Sequence, residues 1–150
     1  MKLSTKGRYA ARAMLELAIG YGDEFLSIKE IAKREEVSER YLENIMNKLT
    51  SSGLVISLRG KNGGFRLAKK PREITLAEVI NVVEGSLSPT DCVDRPEICK
   101  RVRTCVTYEI WQRLKKAMEE ILNGITLEDM VQMYKKKSIK EENLEFLYYI

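Results

Sequence analysis

The sequence predicts a mainly α-helical fold with a small β-hairpin wing, in which a winged helix-turn-helix domain precedes a long dimerisation helix. Three observations support this prediction: helical apolar spacing behind capping residues, two short apolar runs around a glycine-rich turn, and a wide apolar stripe near the C-terminus. We accordingly place the winged helix-turn-helix domain at residues 1–85 and a cysteine-containing loop at 86–105. The dimerisation helix and the C-terminal helices occupy residues 106–150.

The first two helices follow from their apolar spacing and their caps. A first helix is expected over residues 3–21, where Lys6 and Arg8 lie near the start. Either cation could contact a DNA phosphate, and the alternative for each is an ordinary solvated charge. Ser27 and Glu30 form a capping box that starts a second, short helix.

A third helix follows after a short link, so the second and third helices form a helix-turn-helix unit with the third as the reading helix. Ser38 is its expected N-cap. Its inward stripe consists of Leu42, Ile45, Met46 and Leu49. The opposite face carries side chains that are long and polar enough to read base edges in a DNA major groove. These side chains are Glu39, Arg40, Glu43, Asn44, Asn47 and Lys48.

A basic hairpin, the wing, follows the reading helix. Val55–Leu58 is predicted as one strand and residues 65–67 as its return, with a glycine-rich turn between them. Arg59 and Lys61 place two cations in that turn. The alternative interpretation of the whole stretch is a surface helix beside an ordinary hairpin.

Net charge supports a nucleic-acid partner. The chain carries a formal charge of +4, but residues 1–72 hold 15 Lys and Arg against 8 Asp and Glu, while residues 73–150 hold 11 against 14. The half with the reading helix is therefore the basic half, as phosphate neutralisation requires. The predicted contacts to double-stranded DNA are Lys6, Arg8, Ser38, Arg40, Tyr41, Glu43, Asn44, Arg59 and Lys61.

Several classes of protein are disfavoured. The chain has no histidine, which removes histidine-based catalysis, and it shows no nucleophile–base pair, so an enzyme is not expected. No apolar run approaches the ~20 residues of a membrane span. The N-terminus has no apolar segment of the signal-peptide type, which favours a cytoplasmic protein.

The second half of the chain contains a loop and two further helices. A capping box at Thr75 and Glu78 starts a helix that ends before Gly85. Residues 86–104 are expected to form an irregular loop of about 19 residues. Val106–Asn123 is the longest helical pattern, and its wide apolar stripe favours a dimer helix over packing within one chain. A short helix is expected from residue 126 to residue 134.

The three cysteines, Cys92, Cys99 and Cys105, all lie in or next to this loop. Their spacing matches neither the paired cysteines of zinc ribbons nor the tight run of bacterial ferredoxins. Thiolates bind iron–sulfur clusters, zinc or copper(I), so the residues alone leave a cluster, structural zinc or unligated thiols open.

Several segments of the chain carry a family resemblance: residues 3–10, the Tyr41-Leu42-Glu43 segment, the wing pairs Arg59-Gly60 and Gly63-Gly64, and residues 125–127. They resemble segments of the winged-helix family of bacterial regulators that includes the iron–sulfur regulator IscR, the nitric oxide sensor NsrR and the cysteine-metabolism regulator CymR. The resemblance covers residues 1 to about 134. The three cysteines fall where the cluster-binding members carry theirs, and CymR-like members lack them.

The resemblance implies a homodimer in which the long helices cross and each protomer offers one winged helix to a DNA half-site. It also implies an iron–sulfur cluster at Cys92, Cys99 and Cys105, with 2Fe–2S favoured and 4Fe–4S as the alternative. The fourth ligand departs from the family pattern, because Tyr108 replaces the histidine of IscR-like proteins and Arg8 replaces the aspartate of NsrR-like proteins. The remaining choices are an exogenous ligand, an open iron site, or an oxygen donor from Asp91, Asp94, Glu97, Tyr108 or Glu109.

The expected function is therefore DNA-binding transcriptional regulation in which an iron–sulfur cluster modulates operator binding in response to cluster, oxidative or nitrosative status. One alternative is a winged-helix regulator controlled by zinc or by thiol oxidation at the same cysteines. An alternative from another class is an electron-transfer or scaffold protein that carries the cluster without binding DNA.

Overall fold

The computed structural model describes residues 2–148, with side chains described through residue 145. The elements follow one another as α1 (Thr5–Ile19), α2 (Ile28–Glu35), α3 (Glu39–Ser51), β1 (Val55–Leu58), β2 (Gly64–Leu67), α4 (Leu76–Glu84), α5 (Asp91–Asp94), α6 (Val106–Asn123) and α7 (Leu127–Tyr148). Short 3₁₀ turns lie at Pro71–Glu73 and Pro96–Ile98. The predicted fold class is confirmed: the described chain is mainly helical and carries a two-stranded antiparallel hairpin.

The caps read from the sequence start the helices as expected. Ser27 and Glu30 form a complete capping box on α2, and Thr75 and Glu78 form one on α4. The Ser38 side chain accepts a hydrogen bond from the Tyr41 N–H at 3.2 Å and so caps α3. Each cap pairs a backbone N–H group that the first helical turn leaves without an intrahelical partner.

One core holds α1 to α4 and the hairpin together. The reading helix α3 buries its whole predicted inward stripe, and α1 packs directly against α4 and also contacts α3. The largest fully buried side chains are Met14, Ile31, Leu42, Ile45, Met46, Leu49, Ile74, Val79, Ile80 and Leu127. Burial of this apolar surface fixes the orientation of α3 relative to α1 and to the hairpin.

The first turns of α7 return to this core. The Leu127 N–H donates to the Ile74 carbonyl at 2.9 Å, and the Leu76 N–H donates to the Ile125 carbonyl at 2.8 Å. Leu127 and Val131 are buried. The start of α7 therefore closes the core beside α4, with α6 inserted between them in the chain.

Two expectations about helix extent are wrong. The helix expected from residue 126 to Tyr134 continues, as α7, to Tyr148. The pattern expected to be the longest, Val106–Asn123, forms α6 with 18 residues, against 22 in α7. Residues 135–145 contain no glycine or proline, and lysine and glutamate, which dominate them, propagate helices well. The Ser138 hydroxyl donates back to the Tyr134 carbonyl at 3.1 Å, so this residue is accommodated within the helix.

The segment expected to be an irregular loop contains local structure as well. Asp91–Asp94 form one helical turn and Pro96–Ile98 a 3₁₀ turn, in which proline occupies the first position. Proline is compatible with that position because its missing N–H has no partner to lose there. None of the helices within residues 2–148 is long and apolar enough to cross a membrane.

Candidate nucleic-acid interface and cysteine segment

The outer face of α3 presents polar side chains to solvent. Arg40, Glu43 and Asn44 are exposed, while the opposite stripe of the helix is buried in the core. A helix fixed by its apolar face and free on its polar face is the form in which a helix-turn-helix enters a major groove. The predicted inward and outward faces of α3 are thus confirmed.

The wing is anchored at its base and exposed at its tip. Leu26 and Phe65 exchange two backbone hydrogen bonds of 2.9 Å, which tie the hairpin to the link before α2. Arg59 and Lys61 lie in the exposed turn, where Gly60 adopts a φ of +110° that favours glycine. The base therefore holds two cations at a fixed place relative to α2, with their side chains free in solvent.

The N-terminus of α1 lies beside the N-terminus of α3. Lys6 and Arg8 are both exposed, and the Arg8 guanidinium donates to the Thr5 hydroxyl at 3.4 Å. A shallow cleft brings the two helix ends together, and its lining residues are Ser4, Thr5, Lys6, Tyr41, Val83 and Glu84. Two of the predicted DNA contacts, Lys6 and Tyr41, therefore share one cleft.

Tyr41 is half-buried and also has a packing role. Its ring meets the Tyr9 ring edge-on, with centroids 5.9 Å apart and an interplanar angle of 82°. The Arg12 guanidinium lies 5.4 Å from the centre of the Tyr9 ring and pairs with the carboxylate of Glu35. This chain of contacts connects α2, α1 and α3 around the start of the reading helix.

Sequence reasoning missed Tyr9, Arg12 and Glu35. Glu35 is a buried charged residue, only 6% exposed, and burial raises the pKa of its carboxyl while the nearby Arg12 cation opposes that rise. A signal was present, because Glu35 continues the stripe of Ile28, Ile31 and Ala32 at helical spacing. A carboxylate on an apolar stripe predicts a buried ion pair.

The three cysteines occupy successive local structures. Cys92 lies on α5, Cys99 follows the 3₁₀ turn, and Cys105 directly precedes α6; all three are partly buried. Within residues 2–148, no three cysteine, aspartate or glutamate side chains are gathered as a metal ion would require. The structure thus keeps the cysteines in one segment without bringing their thiols to one point.

The chemistry of the donor set nevertheless suits a thiolate-bound group. The Thr107 hydroxyl and then the Tyr108 N–H at the start of α6 lower the pKa of the Cys105 thiol, and the Arg101 cation acts in the same direction. The thiolate is the form that binds soft metals and iron–sulfur clusters. Three thiols supply three positions of a four-ligand set, and assembling them requires the segment to rearrange.

Some of the oxygen donors considered as a fourth ligand are already engaged. The Asp94 carboxylate accepts from Lys115 Nζ at 2.8 Å and from the Ser88 hydroxyl, and the hydrogen bond from Lys115 is the main reason its pKa lies well below the usual range. The Tyr108 hydroxyl accepts from Gln112 Nε2 at 3.0 Å. Because Asp94 lies on α5 and Lys115 on α6, their ion pair fastens residues 86–105, the cysteine segment, to α6.

Comparisons with known proteins agree with this architecture. The Rrf2 family model, described as an iron-dependent transcriptional regulator, matches residues 3–133. The regulator CymR of Bacillus subtilis is 42% identical over 130 residues, which cover 87% of this chain and 89% of that protein. An IscR of Aliivibrio salmonicida is 38% identical over 131 residues, covering 87% of this chain and 77% of that protein.

Solved structures give the same result. The structure of CymR, the global cysteine regulator of Bacillus subtilis, matches with a TM-score of 0.73 and 40% identity, covering 89% of this chain and 98% of that one. That of T. potens IscR matches with a TM-score of 0.75 and 39% identity, covering 91% and 90%. The resemblance read from the residues is confirmed. The chain belongs to the Rrf2 family and is a winged-helix transcriptional regulator that binds DNA, not an enzyme.

Proposed function

We propose that this regulator is a homodimer whose operator affinity is set by an iron–sulfur cluster at Cys92, Cys99 and Cys105. One observation carries the proposal: all three cysteines of the chain lie in the single segment that connects the winged helix to α6. A group bound there acts on the connection between the DNA-reading part and the proposed dimer helix. Because it binds chromosomal DNA, we place the protein in the cytoplasm.

The proposed DNA contacts are of two kinds: some position the protein on the duplex, and others read the bases. We assign Lys6, Arg8 and Lys61 to phosphates, since exposed cations at a helix start and in a turn fix the protein on the duplex without reading sequence. We assign Ser38 and Tyr41, at the start of α3, to the sugar–phosphate backbone of DNA beside the groove. The base-reading side chains are Arg40, Glu43 and Asn44 in the major groove, with Arg59 in the adjacent minor groove.

The dimer assignment rests on α6. None of its residues is buried, and Val106, Ile110 and Ile121 are 72%, 48% and 64% exposed. Apolar side chains in such a row are stabilised by burial against a second copy. Two α6 helices in contact set the separation of the two reading helices, which must match DNA half-sites about 34–36 Å apart or a multiple of that distance.

When bound, an iron–sulfur cluster supplies a group that oxygen or nitric oxide can alter; we favour 2Fe–2S over 4Fe–4S. The residues of this chain supply the response. Gathering the three thiols moves α5 and the start of α6, and the Asp94–Lys115 ion pair must adjust because it joins these elements. A change at the cysteines thereby alters the angle at which α6 leaves the segment.

A second candidate, control by thiol oxidation at the same cysteines, is favoured by one observation. The pKa of the Cys105 thiol is lowered, and a larger thiolate fraction speeds oxidation and disulfide exchange. This candidate uses the same winged helix and dimer but needs no iron. Zinc at the same thiols is the related metal alternative.

Anaerobic purification followed by visible absorption and Mössbauer spectroscopy tests the proposal. We expect bound iron and sulfide with charge-transfer absorption, and we expect Cys92→Ala, Cys99→Ala and Cys105→Ala each to abolish the absorption. Thr104→Ala, in the same segment, is the matched control and should retain it, because Thr104 only donates to a backbone carbonyl. Stoichiometric zinc in the purified protein would contradict the cluster and favour the zinc alternative. A metal-free protein whose thiols oxidise reversibly would favour control by thiol oxidation.

A further inference from the structure

One carboxylate fastens the end of α4 to the beginning of α1. Glu84, the last residue of α4, accepts hydrogen bonds through Oε1 from the Ser4 hydroxyl and from the Gly7 N–H, the latter at 3.0 Å. The Ser4 oxygen also caps α1 by accepting from the same Gly7 N–H at 3.2 Å. The N-cap and the first turn of α1 are thus both held by a side chain from a distant part of the sequence.

The negative charge of Glu84 is favourable at the N-terminus of α1 and unfavourable at the C-terminus of its own helix, α4. A carboxylate at a helix C-terminus opposes the helix dipole, and the last turn of α4 contains no basic residue to offset it. The first turn of α1 has no acidic residue and instead carries Lys6, with Arg8 just beyond. Glu84 therefore supplies the negative charge that the N-terminus of α1 lacks.

Gly7 makes the close approach possible. It is buried in the first half of α1, and a Cβ placed on it would lie well inside van der Waals contact of Glu84 Oε1 and 3.0 Å from Leu3 Cδ1. Any other residue at this position would push the carboxylate away. Glycine within a helix is otherwise unfavourable, so its presence here is explained by the contact with Glu84.

The contact lies between the proposed DNA surface and the cysteine segment. Glu84 lines the cleft that also contains Lys6 and Tyr41. The next residue, Gly85, turns the chain with a φ of +77° into the segment that leads to Cys92. A movement of that segment therefore pulls on the residue that holds α1.

We infer that Glu84 is a positioning residue for DNA binding: it holds the N-terminus of α1 in the orientation in which Lys6 and Arg8 meet DNA phosphates. The inference rests on the proposed phosphate contacts of these two cations. Charge and positioning predict opposite effects on DNA affinity when Glu84 is removed. Removing an anion beside a DNA surface tightens binding on charge alone, whereas disruption of the positioning interaction weakens it.

Operator affinity measured over a series of salt concentrations separates these effects. Glu84→Ala and Glu84→Gln remove one negative charge, and Glu142→Gln, at an exposed site on α7, is the control for charge alone. We expect Glu84→Ala to weaken operator binding about tenfold. The salt slope, which is the slope of the logarithm of affinity against the logarithm of salt concentration, should become shallower by about 1 for each phosphate that the protein no longer neutralises. Glu84→Gln should have an intermediate effect, because its amide oxygen still accepts hydrogen bonds, and Glu142→Gln should bind as the parent does or more tightly.

Two further variants complete the test. Gly7→Ala should reproduce the weaker binding although it raises helix propensity, and Glu84→Ala should have no further effect in a Lys6→Ala/Arg8→Ala background. Circular dichroism and thermal unfolding confirm that each variant is folded, with Glu84→Gln as the milder change. Equal or tighter binding by Glu84→Ala, or weaker binding with an unchanged salt slope, overturns the role of Glu84. A parent protein without operator binding would instead refute the proposed function.

Discussion

Glu43 is a residue of α3 whose charge opposes DNA binding. Its exposed carboxylate lies beside Asn44 and on the face of Arg40, where DNA phosphates repel it and a cytosine amino group can donate to it. A group with both properties contributes discrimination between sites and little affinity. We therefore expect Glu43→Ala to bind a wider set of sequences while its best site stays nearly as tight.

Selection from random DNA checks this expectation, with Glu142→Ala as a control for loss of the same charge on α7. The motif selected by Glu43→Ala should lose information at one or two positions. If parent and variant return the same motif, Glu43 is a solvated helix residue without a reading role.

Glu35 gives the stability of the protein a defined pH dependence. Burial raises its pKa above the ordinary value of 4.5, so the folded protein binds this proton more tightly than the unfolded chain does. Protonation therefore favours the folded state. The free energy of unfolding of the parent, relative to that of Glu35→Gln, should rise as pH falls from neutral towards 4.5.

Urea unfolding of both proteins over this pH range is the measurement, and taking the difference cancels the titration of all other groups. A difference that falls on acidification would mean that the ion pair with Arg12 outweighs the cost of burial.

The role of Glu35 could be predicted only in part from the sequence. Its place on an apolar stripe was visible, but Arg12 lies on another helix and the pair exists only after α1 and α2 pack.

At the scale of elements, the features set by neighbouring residues were predictable. The caps at Ser27, Ser38 and Thr75 and the strand at Val55–Leu58 all occur as the local sequence indicates. The extent of α7 was missed: the residues after Tyr134 contain no glycine or proline that would stop a helix, but helix propensity alone is a weak guide to where a helix ends.

The wing offers a test of an element whose geometry depends on one residue. Gly64 begins β2 with a φ of +154°, and a Cβ there would press into the Leu26 carbonyl that pairs with the hairpin. Gly64→Ala should therefore lower the free energy of unfolding by about 1–3 kcal/mol. Gly22→Ala is the matched control, since nothing lies within 4 Å of its Cβ position.

Chemical denaturation and operator binding together check this prediction. We expect Gly64→Ala to lose stability and, because the wing base shifts, to weaken operator binding as well. Gly22→Ala should change neither quantity appreciably. Unchanged stability in Gly64→Ala would show that the hairpin base tolerates a side chain and is not fixed by the contact with Leu26.

At the scale of the whole molecule, the sequence indicates the parts but not their connections. The basic first half, the reading helix and the grouping of the three cysteines were all visible in the chain. The contacts of Ser4 with Glu84 and of Asp94 with Lys115 were not, because they join residues on different helices. The first contact ties the end of α4, where the cysteine segment begins, to α1, and the second ties the cysteine segment to α6.

We propose that the state of the cysteine segment sets operator affinity. Operator binding by the anaerobic, cluster-loaded protein and by Cys99→Ala, at one salt concentration, tests it most directly. We predict two dimers whose affinities differ by a coupling of about 1–3 kcal/mol, roughly 5- to 150-fold. The same affinity and the same site preference in both proteins would contradict the claim.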